Sequence, residues 1–138
     1  MPYKPTHLSI TINRPVNEVY EFLSTPENMP KWAAGLSETT MRKNGDLYET
    51  DSPMGVVKIK FSEKNHFGVV DHDVILPSGE VNHNPLRVVK NGEGSEVIFT
   101  LYRLPRMSDE EFERDARMVE GDLFRLREVL EEEKYGNI

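Results

Sequence analysis

The chain has no cysteine, which excludes disulfides, thiolate zinc sites and cysteine nucleophiles. No stretch approaches the ~20 apolar residues that a membrane-spanning helix requires. No basic stripe is present, so recognition of a phosphate backbone lacks its electrostatic requirement, and no nucleic-acid partner is expected. The opening Met1-Pro2-Tyr3-Lys4-Pro5 lacks the apolar run of a signal peptide, and the expectation is a soluble cytoplasmic protein. A serine elbow, a phosphate loop and a dinucleotide fingerprint are also missing. Hydrolase, nucleotide and redox-cofactor readings therefore have no support, and no cofactor is expected. Apolar residues make up only 37%, which implies a lean core, and 30% charged residues indicate a soluble exterior.

What the chain does have is one long amphipathic helix near its end. Ser108-Asp109-Glu110-Glu111 reads as a capping box, in which Ser108 caps the helix and Glu111 reaches back to the backbone of Ser108. Phe112, Ala116, Val119, Leu123, Leu126 and Leu130 follow at spacings of three and four, which places them on one stripe. Running to about Lys134, such a helix is roughly 40 Å long. A hairpin cannot cover that stripe; a broad curved sheet can. Ser108 to Lys134 holds eleven acidic against five basic residues, so nearly all of the chain's −7 charge belongs to the solvated face of this helix.

Upstream, Leu8, Ile10 and Ile12 alternate with Ser9 and Thr11 as a half-buried strand. Asn13-Arg14-Pro15 ends that strand and starts a short helix with Val16, Val19, Tyr20 and Leu23 on its apolar face. Thr25-Pro26-Glu27 opens a second short helix through Trp32 to Gly35. Turn-forming clusters then separate candidate strands at 36–42, 46–51, 55–63, 67–76, 80–90 and 95–104. The order is strand, two helices, six strands and a long helix. It predicts one α+β domain over residues 1–138, a helix-grip fold in which an antiparallel sheet of about seven strands curves around the last helix. A gap between sheet and helix is the natural place for a small-molecule pocket.

Several segments resemble START-like domains, the SRPBCC superfamily of polyketide cyclase/dehydrase and lipid-transport proteins related to the birch pollen allergen. They are Ile10 to Leu23, Pro26 to Trp32, Gly68 to Val74 and Asp122 to Glu131. The resemblance spans essentially the whole chain. It implies a hydrophobic ligand cavity, in a superfamily that includes carriers, cyclases, hydroxylase subunits and co-chaperones. No catalytic motif transfers residue by residue.

His72 is the candidate with most chemical range. It alternates with Val70, Val74 and Leu76, so on a concave face it would project into the cavity wall as acid, base or hydrogen-bond donor. On the opposite face Asp71 and Asp73 would meet solvent. A three-residue loop at Pro77-Ser78-Gly79 sets His72 opposite Asn84 and Asp73 opposite His83; a four-residue loop sets His72 opposite Pro85 and Val70 opposite Arg87. Asn84 in the first case would orient the imidazole, and an inward Arg87 in the second would suit an anionic ligand. Trp32 would seat the second helix and lie near one end of the cavity. Met54, in the Ser52-Pro53-Met54-Gly55 turn, is placed at the entrance. Phe99, which shares a face with Val97 and Leu101, and Tyr102 complete the candidate lining. His72, His83, Asp71 and Asp73 mix both faces of a hairpin, so no metal site is expected.

Three functions compete. The first is binding of a small apolar or aromatic ligand, by a monomer or homodimer. The second is a cyclase or dehydratase using His72 as general acid/base. The third is a co-chaperone or interaction module using the acidic helix face.

Overall fold

The computed structural model describes residues 1–36 and 39–133. Strand β1 (Lys4–Ile12) leads into helix α1 (Val16–Leu23), a 3-10 turn at Pro26–Asn28, the single-turn helix α2 (Met29–Trp32) and a second 3-10 turn at Ala34–Leu36. Strands β2 (Arg42–Asn44), β3 (Leu47–Ser52), β4 (Gly55–Phe61), β5 (His72–Ile75), β6 (Val81–Asn84), β7 (Leu86–Asn91) and β8 (Gly94–Arg103) follow. Helix α3 (Asp109–Glu128) then runs into a π turn at Val129–Glu133. The expected continuation to Lys134 lies outside the described residues. This is the helix-grip arrangement expected from the alternation of elements.

Pro15 stands just outside α1 with extended backbone, and its carbonyl accepts from the amides of Glu18 and Val19 at 3.1 Å each. At α3 the capping box forms in full: Glu111 N–H donates to Ser108 Oγ at 3.1 Å, and Ser108 N–H to Glu111 Oε1 at 3.0 Å. Two orphan amides are thereby satisfied at the start of the helix.

The described strands number eight, in two antiparallel ladders: β1-β8-β7 and β2-β3-β4-β5-β6. The extra strand arises at Pro85, which has no N–H to give a ladder and divides the expected 80–90 strand into β6 and β7. The expected 67–76 strand is divided at the matching point. Its second half, β5, pairs with β4 and β6, while its first half bonds to β7 through Val70 N–H to Leu86 O and Val88 N–H to Gly68 O, both 2.8 Å. The strand expected at 36–42 is also shorter: Leu36 ends a 3-10 turn, residues 37 and 38 lie outside the described ones, and pairing starts at Arg42.

Gly68 makes the partner exchange possible. Its φ is +72°, and a Cβ there would stand 2.1 Å from the carbonyl oxygen of Val88. Only glycine allows the two backbones this approach.

The core lies between the three-stranded ladder and α3. Ile10, Ile12, Leu86, Val88, Val97 and Phe99 point inward against Leu123, Leu126 and Leu130, and Val19, Leu23 and Trp32 close the side. Phe112 is buried but stands apart from this cluster, and Val119 is only partly buried. The helix is therefore anchored at both ends more firmly than in its middle. Buried Ser95 donates to Arg14 O at 2.7 Å, and Asn13 N–H donates to Glu131 Oε2 at 2.8 Å, tying the β1–α1 turn to the end of the helix.

Leu126 is fully buried and Glu132 exposed. In urea denaturation, Leu126→Ala is expected to lower stability by about 2–5 kcal/mol and Glu132→Ala to change it by less than about 0.5 kcal/mol. Gly68→Ala is expected to lose at least about 2 kcal/mol in the same measurement, because the backbone of Val88 must move as well as the left-handed conformation being strained.

Candidate functional site

The inner face of the five-stranded ladder is read off its register. Phe61, His72 and Asn84 form one row across β4, β5 and β6. Tyr48, Ile59, Val74 and Asn82 form the next row across β3 to β6. The three-residue loop is the one used: His72 faces Asn84, Asp73 faces His83, and Leu76 N–H donates to Glu80 O at 2.9 Å.

Between this face and the helices lies a cleft of about 480 Å³. Val57, Ile59, Val74 and Leu76 form its floor, Met29 and Leu36 one wall, and Met118 of α3 the rim. The Ser52-Pro53-Met54 turn, Asn82 and Asn84 complete it. None of the described lining residues is charged, in a chain with 30% charged residues. Ser52 Oγ is occupied locally, donating to Gly55 O at 2.8 Å and accepting from Met54 N–H at 3.2 Å.

The wall containing α2 is held in place by α3. Asp122 Oδ1 accepts from Ala34 N–H at 3.0 Å, and Arg125 Nη1 donates to Trp32 O at 3.0 Å. Burial raises the carboxyl pKa of Asp122 above its ordinary value, against the Ala34 amide and Arg125, which lower it. A second, polar cavity of about 160 Å³ adjoins at the β6–β8 seam, with Tyr102, Arg106, Arg114, Glu111 and Asp115 among its lining and Asn82 and Asn84 shared with the cleft.

Of the residues singled out in the sequence, Met54 and Asn84 meet at the cleft. Trp32 does not: its ring is buried in the core, while its neighbours Met29 and Leu36 line the wall. Phe99 is likewise buried in the core, and Tyr102 belongs to the polar cavity. Arg87 lies on the outer face, because the three-residue register turns Leu86 and Val88 inward instead. There it holds Asp71 through Nε at 2.8 Å and Nη2 at 2.7 Å. Burial alone would raise the pKa of Asp71, but Arg87 and the Leu86 amide outweigh it and bring the carboxyl below its ordinary range. Asp71 is thus half-buried in an ion pair instead of fully solvated.

His72 faces inward, only 3% exposed, with ring centroids of Phe61 and Phe99 at 5.5 and 6.3 Å. Its Nδ1 donates to Val70 O at 3.1 Å, which leaves Nε2 as the acceptor of a neutral ring. Burial lowers its pKa; the Val70 carbonyl and the carboxylates of Asp71 and Asp73 oppose the shift without reversing it. The ring lies one row away from Ile59 and Val74 of the cleft floor. Among the described residues, no group of three His, Cys, Asp or Glu side chains is placed to hold a metal ion.

The residues that sequence reasoning missed are Met29, Leu36, Val57, Ile59, Val74, Leu76, Asn82 and Met118. Most are apolar, and in sequence they carry only the signal of a core. Asn82 gave no signal of its own, because the register that sets it opposite Val74 is fixed only by the folded hairpin.

Because burial lowers the pKa of His72 in the folded chain below its unfolded value, the unfolded chain takes up the proton first as pH falls below about 6.5. Stability associated with His72 is thus fully present above that pH and declines below it. Urea midpoints at pH 7.5 and pH 5.5 are expected to differ more for the parent than for His72→Gln; equal pH dependence in the two would refute the assignment.

The sequence pattern of the family described as polyketide cyclase/dehydrase and lipid transport matches residues 6–131. No curated protein matches the chain. Among solved structures, the chain is similar to DynU16, a protein of the dynemicin biosynthetic locus, with TM-score 0.69 and 16% identity over 94% of this chain and 48% of that one. It therefore spans about half of DynU16. It is also similar to Aha1 from Colwellia psychrerythraea, solved as a dimer (TM-score 0.71, 15% identity, 93% and 96% coverage), and to Ara h 8.0201 (0.65, 11%, 90% and 95%). At such identities the structural likeness speaks for the fold alone. The match over residues 6–131, together with the helix-grip architecture, places this chain in the polyketide cyclase/dehydrase and lipid-transport family of the START-like superfamily.

Proposed function

We propose that this protein binds a small apolar or aromatic molecule in the cleft between the five-stranded ladder and helices α2 and α3. The observation that carries the reading is the uncharged lining of a cleft of about 480 Å³. Its size falls in the range of roughly 300–1,000 Å³ typical of small-molecule sites. Apolar surface facing a water-filled space is unfavourable, and a ligand that covers Val57, Ile59, Val74 and Met118 removes it from water. The family's lipid-transport description agrees with this chemistry.

Acid–base catalysis at His72 has less support. Its Nδ1 is engaged with Val70 O, its ring is enclosed by Phe61 and Phe99, and no titratable side chain is among the described lining residues of the cleft. A binding and carrier role needs no such group.

Trp32, the only tryptophan, packs beside the wall of the cleft and serves as an intrinsic reporter. Titration with neutral Nile red is expected to saturate at one equivalent and to change Trp32 fluorescence. Met118 is 51% exposed on the rim, so Met118→Glu preserves the fold while setting a carboxylate beside the bound dye. Affinity is expected to fall about tenfold, equivalent to about 1.4 kcal/mol. Non-saturable uptake, or an affinity unmoved by Met118→Glu, would rule out the cleft as the site.

A further inference from the structure

Strand β6 is inverted with respect to its environment. A half-buried strand ordinarily turns its apolar residues inward, yet in Val81-Asn82-His83-Asn84 the valine lies outward, 52% exposed, and both asparagines point inward. A one-residue slip would reverse this. The Leu76–Glu80 bond and the His72–Asn84 pairing prevent it. Asn82 consequently lies opposite Val74, with Ile59 and then Tyr48 beyond in the same row.

Neither carboxamide is in a hydrogen bond among the described residues. The Oδ1 of Asn82 is out of contact with solvent and has no donor. Since Ser52 is satisfied by its own turn, Asn82 and Asn84 carry the unspent polar capacity of the cleft. Buried polar groups are ordinarily paired, and a site that leaves an amide unpaired favours a ligand that pairs it. Such breaches of local pattern are where function is expected.

Resting on the cleft-binding reading above, we infer that Asn82 and Asn84 form a recognition site for a neutral hydroxyl group on the apolar ligand. With the Asn82 carboxamide turned about its last torsion toward the cleft, a hydroxyl donates to its oxygen and accepts from a carboxamide N–H. A carbonyl could only accept, and would leave Asn82 Oδ1 unpaired. A carboxylate would repel that oxygen; of the arginines lining the adjoining polar cavity, Arg106 is already held by Glu80, and Arg114 shares the cavity with Glu111 and Asp115. The ligand class is thus an uncharged alcohol or phenol, its ring or chain body over Ile59, Val74 and Met118 and its hydroxyl at the boundary with the polar cavity.

The test uses the full chain and three probes that differ at one ring position: naphthol, methylnaphthalene and naphthoate. Their affinities are measured by displacement of Nile red and checked by calorimetry. Naphthol is expected to bind about fivefold more tightly than methylnaphthalene, as one net hydrogen bond allows, despite being the less hydrophobic probe. Naphthoate is expected to bind at least about tenfold more weakly than naphthol. Asn82→Leu should abolish the preference for naphthol while leaving methylnaphthalene bound as tightly or more so. The parent ratios need no variant, so the inference stays testable if Asn82→Leu does not fold. Equal affinities for naphthol and methylnaphthalene, or a preference that survives in both Asn82→Leu and Asn84→Leu, would overturn the hydroxyl site and leave the cleft standing. Failure of Nile red itself to bind would overturn both.

Discussion

Pro85 offers no N–H to a ladder, and the chain's answer to that missing donor organises the molecule. The strand that carries it leaves one partner and takes up another at this residue, so β6 stays with β5 while β7 joins β8. The opposing strand divides at the matching position, where Gly68 lets its backbone approach Val88. One hairpin thus serves two ladders without losing register: Val69 faces Arg87 by the same pairing that sets His72 opposite Asn84. The polar cavity lies at this seam, between β6 and β8, and the cleft lies beside it against the five-stranded ladder.

Burial is distributed accordingly. The three-stranded ladder receives Leu123, Leu126 and Leu130 and is filled. The five-stranded ladder has fewer apolar residues of α3 to meet, with Met118 half-exposed at the rim and Val119 only partly buried. A chain with a lean apolar composition has made one close-packed core and left a second apolar surface open. Asp122 and Arg125 fix the wall of that opening through backbone groups of residues 32 and 34, which holds the cleft in shape without filling it. Hydrogen bonds to main chain suit this purpose, since they position a segment without requiring its side chains to reach across.

Much of the architecture was legible because its signals are local. The capping box at Ser108 and Glu111 uses groups three residues apart, and the helical stripe repeats every three or four residues, so both can be read without a partner in view. Turn clusters marked the hairpins for the same reason. The register around Pro77-Ser78-Gly79 was narrowed to two possibilities and no further, because turn composition alone does not say whether the loop is three or four residues long. Arg87 shows the consequence: one register sends it inward and the other outward, and its ion pair with Asp71 exists only in the second. The division of the strands at Pro85 was missed because proline also tolerates strand edges, and only the neighbouring β8 determines which edge this one is.

By itself the sequence determined the order of elements, the marked start of the last helix, the face that helix buries and the superfamily to which the whole belongs. These depend on spacing along one chain. The tertiary structure decided which apolar residues became core and which became the wall of a cleft, that His72 is enclosed by aromatic rings with Nδ1 engaged, and that Asn82 and Asn84 turn inward beside Val74. An apolar side chain looks the same in sequence whether another side chain covers it or a ligand could, because burial depends on what the fold brings opposite.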